Sequence, residues 1–343
     1  MTAWPQCPYR RWSTASPTTA PSSSNRSHPT TRPGNHGSSE LATPGPAVRM
    51  ARVRRFLIVA NPVAGGGRVA RELPPVRREI DRLGLDAEIC LTQSLADVSA
   101  LVERAGAEGR VPVAFSGDGV VGALAAAASR LADPLFGVIP GGTGNDFCRH
   151  IGIPDDVLAA CSILATGAEQ PVDLGEANGV RFLGIASAGF DSEANEAANR
   201  APRWLGPLVY TWGALVALAR WKPASFTVEI DGRQSQFEGW SVVCANTSVY
   251  GAGMFIAPAA RTDDGLFDVV WTSKTGRLRF LALFPKVFKG THVGLETVHV
   301  EQGREVSFAS SRPFVLFADG DPITELPARI GILPSAARVL VPA

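Results

Sequence analysis

The sequence predicts an α/β domain with a doubly wound parallel sheet, followed by a predominantly antiparallel β-sandwich domain. From about residue 55 to residue 140, short apolar runs alternate with segments of helical spacing, as in a parallel sheet covered on both faces. After about residue 170 strand-like runs follow one another directly, the pattern of a sandwich. Residues 1–49 differ from both parts, being rich in Ser, Thr and Pro, and such a stretch buries too little apolar surface to offset chain entropy. They are expected to be a disordered tail, or to result from a start read too early, since Met50 stands just before the first apolar run. The predicted division is 1–49 for the tail, 50–170 for the α/β domain and 171–343 for the β domain.

Residues 55–60, Arg-Phe-Leu-Ile-Val-Ala, read as a buried parallel strand ending at Asn61-Pro62. A glycine turn follows, and Val69, Leu73, Val76, Ile80 and Leu83 then repeat at helical spacing. Further strands are expected at 87–91, 111–115 and 136–139, with helices at 97–105 and 123–131. In the second half, strands are expected at 182–186, 225–230, 241–245, 267–271, 305–308, 314–318 and 338–341. Asp231-Gly232 between two of them is a hairpin turn signal.

The chain has 343 residues, 45% hydrophobic and 19% charged, enough for two domains with cores of their own. A net charge of +1 argues against nucleic acid as a partner held by a broad basic field. The five cysteines, Cys7, Cys90, Cys148, Cys161 and Cys244, form no close pair, which fits a reducing cytosol better than a disulfide or zinc framework. No apolar secretory core appears near the start.

Chemistry concentrates in three glycine-rich turns, each placed where a predicted parallel strand ends. They are Asn61-Pro62-Val63-Ala64-Gly65-Gly66-Gly67-Arg68, Ser116-Gly117-Asp118-Gly119, and Pro140-Gly141-Gly142-Thr143-Gly144-Asn145-Asp146-Phe147. Open α/β sheets bind ligands at the carboxyl ends of their strands. Glycines there let backbone N–H groups approach phosphate oxygens, helped by the positive end of the next helix. No turn matches the P-loop pattern.

These turns, in this order, resemble the catalytic domain of the diacylglycerol kinase family, which includes bacterial lipid kinases and the sphingosine and ceramide kinases. The resemblance continues through Val172-Asp173-Leu174-Gly175, Gly189-Phe190-Asp191, 263–268 (Asp-Asp-Gly-Leu-Phe-Asp) and Asp319-Gly320-Asp321. It implies a nucleotide-binding α/β domain, a β-sandwich domain and an active site in the cleft between them. ATP phosphates would lie against Asn61, Pro62, Gly65, Gly66, Gly67, Arg68, Gly117 and Gly119, with hydroxyls from Thr92 and Thr143. Asp118 would serve catalysis near the nucleotide and its Mg²⁺, with Asn145, Asp146 and Asp173 nearby and the last two completing an acidic network, while Asp118 and Asp146 also read as plain helix caps. Asp321 stands where the family carries the glutamate of Asp-Gly-Glu, the proposed general base, though Asp-Gly is also a plain turn signal. A structural magnesium site is implied at Asp264, with the carbonyls of Arg261 and Leu266.

The acceptor would be a hydroxyl of diacylglycerol or a related lipid alcohol, met by a cytoplasmic protein bound peripherally at the inner face of the membrane. Residues 204–219 contain no charge and are too few to span a bilayer. They read either as a buried helix or as an apolar helix at a lipid-entry face, with Trp204, Tyr210, Trp212 and Trp221 suited to an interface. Ser116, Val120 and Gly122-Ala123 depart from the family's Gly-Gly-Asp-Gly-Thr and Asn-Glu. Val120 lacks a hydroxyl that would reach phosphate or water. The alternatives are an NAD-kinase-like enzyme and a nucleotide-binding regulatory protein with little catalysis.

Overall fold

The computed structural model describes residues 54–201, 209–222 and 224–343; the tail expected over 1–49 lies outside them. Strands β1 (Arg55–Ala60), β2 (Asp86–Leu91), β3 (Val111–Ser116) and β4 (Leu135–Pro140) alternate with helices α1 (Ala64–Arg82), α2 (Leu95–Ala107) and α3 (Asp118–Ala128). The strands pair in parallel in the order β2-β1-β3-β4. Both faces are covered, so β4 is buried throughout and β1 everywhere but at Arg55. The winding reverses between β1 and β3, and such a reversal opens a crevice beyond the carboxyl ends of the strands. In α1, Gly65, Gly66 and Gly67 hold φ values of 57°, 61° and 85°, so regular helix starts after them, close to the predicted residue 69. Helix α3 starts at Asp118, five residues before the predicted 123, because a glycine in its first turn hides the helical pattern.

Two helices follow, α4 (Asp146–His150) and α5 (Val157–Thr166). Sequence spacing gives no sign of α5, because its exposed face carries Leu158, Ala159 and Ala165 opposite the buried Val157, Ala160, Cys161, Ile163 and Leu164, which leaves no polar stripe.

The second half contains β5 (Ala168–Ala177), β6 (Val180–Phe182), β7 (Ile185–Gly189), α6 (Phe190–Asn199), α7 (Val209–Arg220), β8 (Ala224–Ile230), β9 (Arg233–Ala245) and β10 (Phe267–Ser273). Short helices α8 (Arg277–Leu281) and α9 (Phe284–Val287) precede β11 (Val298–Gly303), β12 (Glu305–Ser310), β13 (Val315–Ala318), β14 (Asp321–Glu325) and β15 (Ala328–Val341). The strands run in the order β14-β13-β7-β9-β8-β12-β15, with β10 on β9 and β11, and β5 on β15 and β6. The β8–β9 hairpin turns at Asp231 and Gly232, both at positive φ (48° and 80°), as its Asp-Gly pair predicts. The strand expected over 182–186 is instead two strands, β6 and β7, interrupted at Leu183-Gly184.

Strand β15 joins the halves. Its first residues pair with β12, and its last pair antiparallel with β5 and parallel with β4. Ala337, Val339, Leu340 and Val341 are buried in the α/β core beside Val172 and Leu174. The division expected at residue 170 therefore separates sequence patterns, while the first core takes in chain from both sides of it.

Candidate active site

The three glycine turns converge. A Cβ added at Gly65 would lie 2.5 Å from the Gly141 carbonyl oxygen, and one at Gly142 would lie 2.5 Å from the Gly117 Cα. Glycine at 65 and 142 is thus a packing requirement that lets three strand ends share one small space. At Gly66 and Gly119 an added Cβ would meet nothing within 4 Å, so these backbones border open space. No side-chain hydrogen bond caps α1, α3 or α4. The first N–H groups of a helix have no partner within it, and its positive end favours an anion.

Polar side chains lock the turns together. Asn61 Oδ1 accepts from the Val63 N–H at 3.3 Å, and the Asn61 N–H donates to the Phe115 carbonyl. Pro62 continues that first turn between Asn61 and Val63. Asn145, left-handed at φ 51°, accepts from the Gly142 N–H at 2.8 Å and donates to Asp155 at 2.7 Å. The Arg68 guanidinium reaches the same Asp155, at 3.1 Å to Oδ1 and 2.7 Å to its carbonyl. Arg68 and Asn145 therefore join the first turn to the third through Asp155, a residue that no sequence motif singles out. The Thr92 hydroxyl, buried, donates to the Ser94 carbonyl at 2.6 Å, whereas Thr143 is exposed on the third turn.

Carboxylates gather beside these turns. Asp118, in the first turn of α3, accepts from the Phe147 N–H at 3.1 Å. Asp146 accepts from the Ala252 N–H at 2.7 Å and pairs with Arg149. Burial, and then the charge of Asp118, push the Asp146 carboxyl up from its ordinary value. Asp319 accepts from the N–H groups of Leu183, Gly184 and Ile185 at 2.8, 2.9 and 3.0 Å. That is where the predicted strand over 182–186 breaks. Burial raises the Asp319 carboxyl, the three N–H groups pull it back, and Asp118 adds to the rise. The third acid of the group is thus Asp319. Asp173, expected in this network, is committed elsewhere: its two oxygens accept from the Gly265 and Ser335 N–H groups at 2.7 and 2.6 Å. It anchors the 261–266 loop and the middle of β15.

Asp319 and Gly320, at φ 49° and 91°, form the two-residue turn of the β13–β14 hairpin. The turn reading of Asp-Gly-Asp holds for Asp319 and Gly320, and Asp321 opens the next strand, its carboxyl raised by partial desolvation. In the 261–266 loop, Asp264 Oδ1 accepts from the Leu266 N–H at 3.0 Å and Arg261 pairs with Asp263, so the loop holds its shape through its own contacts. Among the described residues no three His, Cys, Asp or Glu side chains come together as a ready-made metal site. Val120 is 5% exposed and packs in the α/β core, so it faces apolar neighbours. Gly122 lies against Asp319: a Cβ there would sit 2.9 Å from Oδ2.

Two further features lie in α6 and α7. Asp191, in the first turn of α6, has its carboxyl pushed up to about 6 by burial, with Tyr250 pulling it back. Helix α7 is not wholly core: Ala217, and Trp221 just beyond it, are buried, while Trp212 and Leu215 are exposed. Trp204 and the side chain of Tyr210 lie outside the described residues.

Known proteins share this architecture. The diacylglycerol kinase catalytic domain family matches residues 55–177, and the YegS C-terminal NAD kinase beta sandwich-like domain family matches residues 184–341. The chain is 33% identical over 304 residues to the diacylglycerol kinase of Mycobacterium tuberculosis H37Rv, covering 86% of this chain and 97% of that protein. It is 29% identical over 276 residues to the diacylglycerol kinase of Bacillus subtilis 168, covering 78% and 90%. A crystal structure of a diacylglycerol kinase from Bacillus anthracis Sterne aligns with a TM-score of 0.66 at 20% identity, covering 84% of this chain and 97% of that one. At that identity the likeness speaks for the fold. With the glycine turns, the acidic residues and the sandwich all in the matched regions, the chain belongs to the diacylglycerol kinase family.

Proposed function

We propose that this protein transfers the γ-phosphoryl group of ATP, with Mg²⁺, to a hydroxyl of diacylglycerol or a related lipid alcohol at the inner face of the membrane. The observation that carries the reading is the placement of Asp118 beside three converged glycine turns at the switch point of a parallel sheet. The backbones of Gly66 and Gly119 have room for phosphate oxygens, and the uncapped starts of α1 and α3 suit anionic charge.

The residues present suit a cation. Burial raises the carboxyls of Asp146 and Asp319 and the charge of Asp118 adds to both, a repulsion that a bound cation would relieve. Asp118 would hold Mg²⁺ together with phosphate oxygens and water, the usual arrangement for an ion that loses its waters reluctantly. When bound, the ion offsets charge on the transferring group. A second ion on Asp264 and the carbonyls of Arg261 and Leu266 would further stiffen a loop that Asp173 already anchors.

Asp321 accepts the proton of the acceptor hydroxyl as its oxygen bonds to the γ-phosphorus and the bond to the β-phosphate bridging oxygen breaks. Its raised carboxyl pKa suits a base better than an ordinary aspartate would. The hairpin turn locked by Asp319 fixes where Asp321 stands.

Incubation with labelled ATP and a panel of lipid alcohols, followed by identification of the product, tests this. A phosphorylated lipid is expected. Phosphorylation of NAD in its place, or ATP binding with no acceptor turned over, would overturn it in favour of the two alternatives.

A further inference from the structure

Residues 274–295 contain five cations, Lys274, Arg277, Arg279, Lys286 and Lys289, and no acid, in a chain whose net charge is only +1. This segment holds α8 and α9. Its apolar residues divide sharply. Phe280 is buried, stacked on Trp240 with ring centroids 3.9 Å apart and edge-on to Phe190 at 4.8 Å. Phe284 packs edge-on against the same two phenylalanines. Leu283 packs against the same core, whereas Leu278 is 84% exposed, Phe288 49% and Leu281 44%. Arg277 donates to the Trp221 carbonyl at 2.9 Å, which ties α8 to the end of α7. A groove of about 640 Å³ has Lys274, Arg277 and Arg279 in its walls.

We infer that α8, α9 and Phe288 form the surface by which this protein docks on an anionic lipid bilayer. This rests on the reading that the acceptor is a membrane lipid. Two independent features meet here. Leucine and phenylalanine side chains held out from a rigid aromatic base can enter the headgroup region, as in interfacial helices. The cations around them match the negative potential of an anionic leaflet, and the basic groove suits a phosphate headgroup. Leu278 borders the same groove as Arg277 and Arg279, so an apolar side chain is offered together with cations, as the headgroup region of an anionic bilayer requires. No helix among the described residues is long and apolar enough to cross a membrane, so this mode is peripheral.

Cosedimentation with vesicles, without nucleotide, tests the docking. The full chain is expected to bind mixed phosphatidylserine–phosphatidylcholine vesicles, to ignore pure phosphatidylcholine, and to be released by high salt. Leu278→Asp, and separately the triple change Arg279→Glu, Lys286→Glu and Lys289→Glu, should each weaken binding by about tenfold or more. All are exposed positions, and circular dichroism checks that the variants fold. Turnover of a short-chain, water-dispersed diacylglycerol should stay near the parent value in both, which separates docking from catalysis: failure of that assay in the parent sinks the kinase reading, not this one. Equal binding to neutral vesicles, or variants that bind as the parent does, would overturn the docking surface. So would a concentration-dependent dimer that Leu278→Asp dissolves without any vesicle binding, which would assign the face to a second copy.

Discussion

The Asp319 carboxylate takes up three consecutive N–H groups across the sheet, whereas Asp321, two residues on, starts a strand with an exposed side chain. Their variants should therefore fail differently. Asp319→Ala leaves three buried donors without an acceptor, which at about 1–3 kcal/mol each should cost roughly 3 kcal/mol or more of unfolding free energy. Asp321→Asn should change stability by no more than about 0.5 kcal/mol, as surface substitutions do. Urea titration compares the two, and equal destabilisation would mean that the hairpin is held by something else. In catalysis the contrast lies between Asp321 and Asp118. Asp321→Asn should lower turnover by about 10²–10⁴-fold with ATP affinity nearly intact, as loss of a general base does. Asp118→Asn should weaken Mg-ATP binding as well. Near-normal turnover in Asp321→Asn would reduce Asp-Gly-Asp to a turn and nothing more.

At the scale of elements, α3 and α6 each carry a test. Val120 faces the α/β core from the first turn of α3, so restoring the family's threonine would bury a hydroxyl among apolar neighbours. Val120→Thr is expected to leave ATP affinity unchanged and to cost about 1 kcal/mol of stability. Tighter ATP binding in that variant would show that the side chain reaches the phosphates after all. In α6, Asp191 is held at about 6 against an ordinary 3.8, so the folded protein binds its proton more tightly than the unfolded chain does. For an acid shifted upward, the penalty is absent below the unfolded value, grows as pH rises through the folded value, and is constant above it. Two pH units correspond to about 3 kcal/mol at most. Between about pH 4 and pH 7, Asp191→Asn should therefore gain roughly 2–3 kcal/mol on the parent, read as the difference between two stability profiles. Parallel profiles would mean that Asp191 ionises normally.

Over the whole molecule, what the sequence revealed and what it hid follow from distance along the chain. Strands β1, β3 and β4 were legible because burial turns them into nearly continuous apolar runs, the half-buried edge strand β2 as a shorter one, and the glycine turns because each is one short motif. Strands β5, β11 and β14 were not, since their exposed positions break both the run and the alternation. Asp118 could be found locally. The role of Asp319 could not, because its partners lie 134 to 136 residues away, and Asp173 looked like part of the acidic network for the same reason, its partner Ser335 being 162 residues distant. The longest-range of these links is β15, whose end completes the parallel sheet beside β4 and β5. A chain ending at Ala336 would lose the buried residues Ala337, Val339, Leu340 and Val341. Burying three Val or Leu side chains contributes roughly 5 kcal/mol or more, comparable to the whole stability of a typical domain. The truncated chain should therefore lose the cooperative unfolding of its α/β half and its ATP binding, while the sandwich core keeps its β signature. Adding a peptide of residues 335–343 should restore part of the nucleotide binding, because the missing strand has a preformed edge on each side. If the truncated protein instead melts within a few degrees of the parent and binds ATP as well, the α/β half is self-sufficient and β15 only decorates its edge.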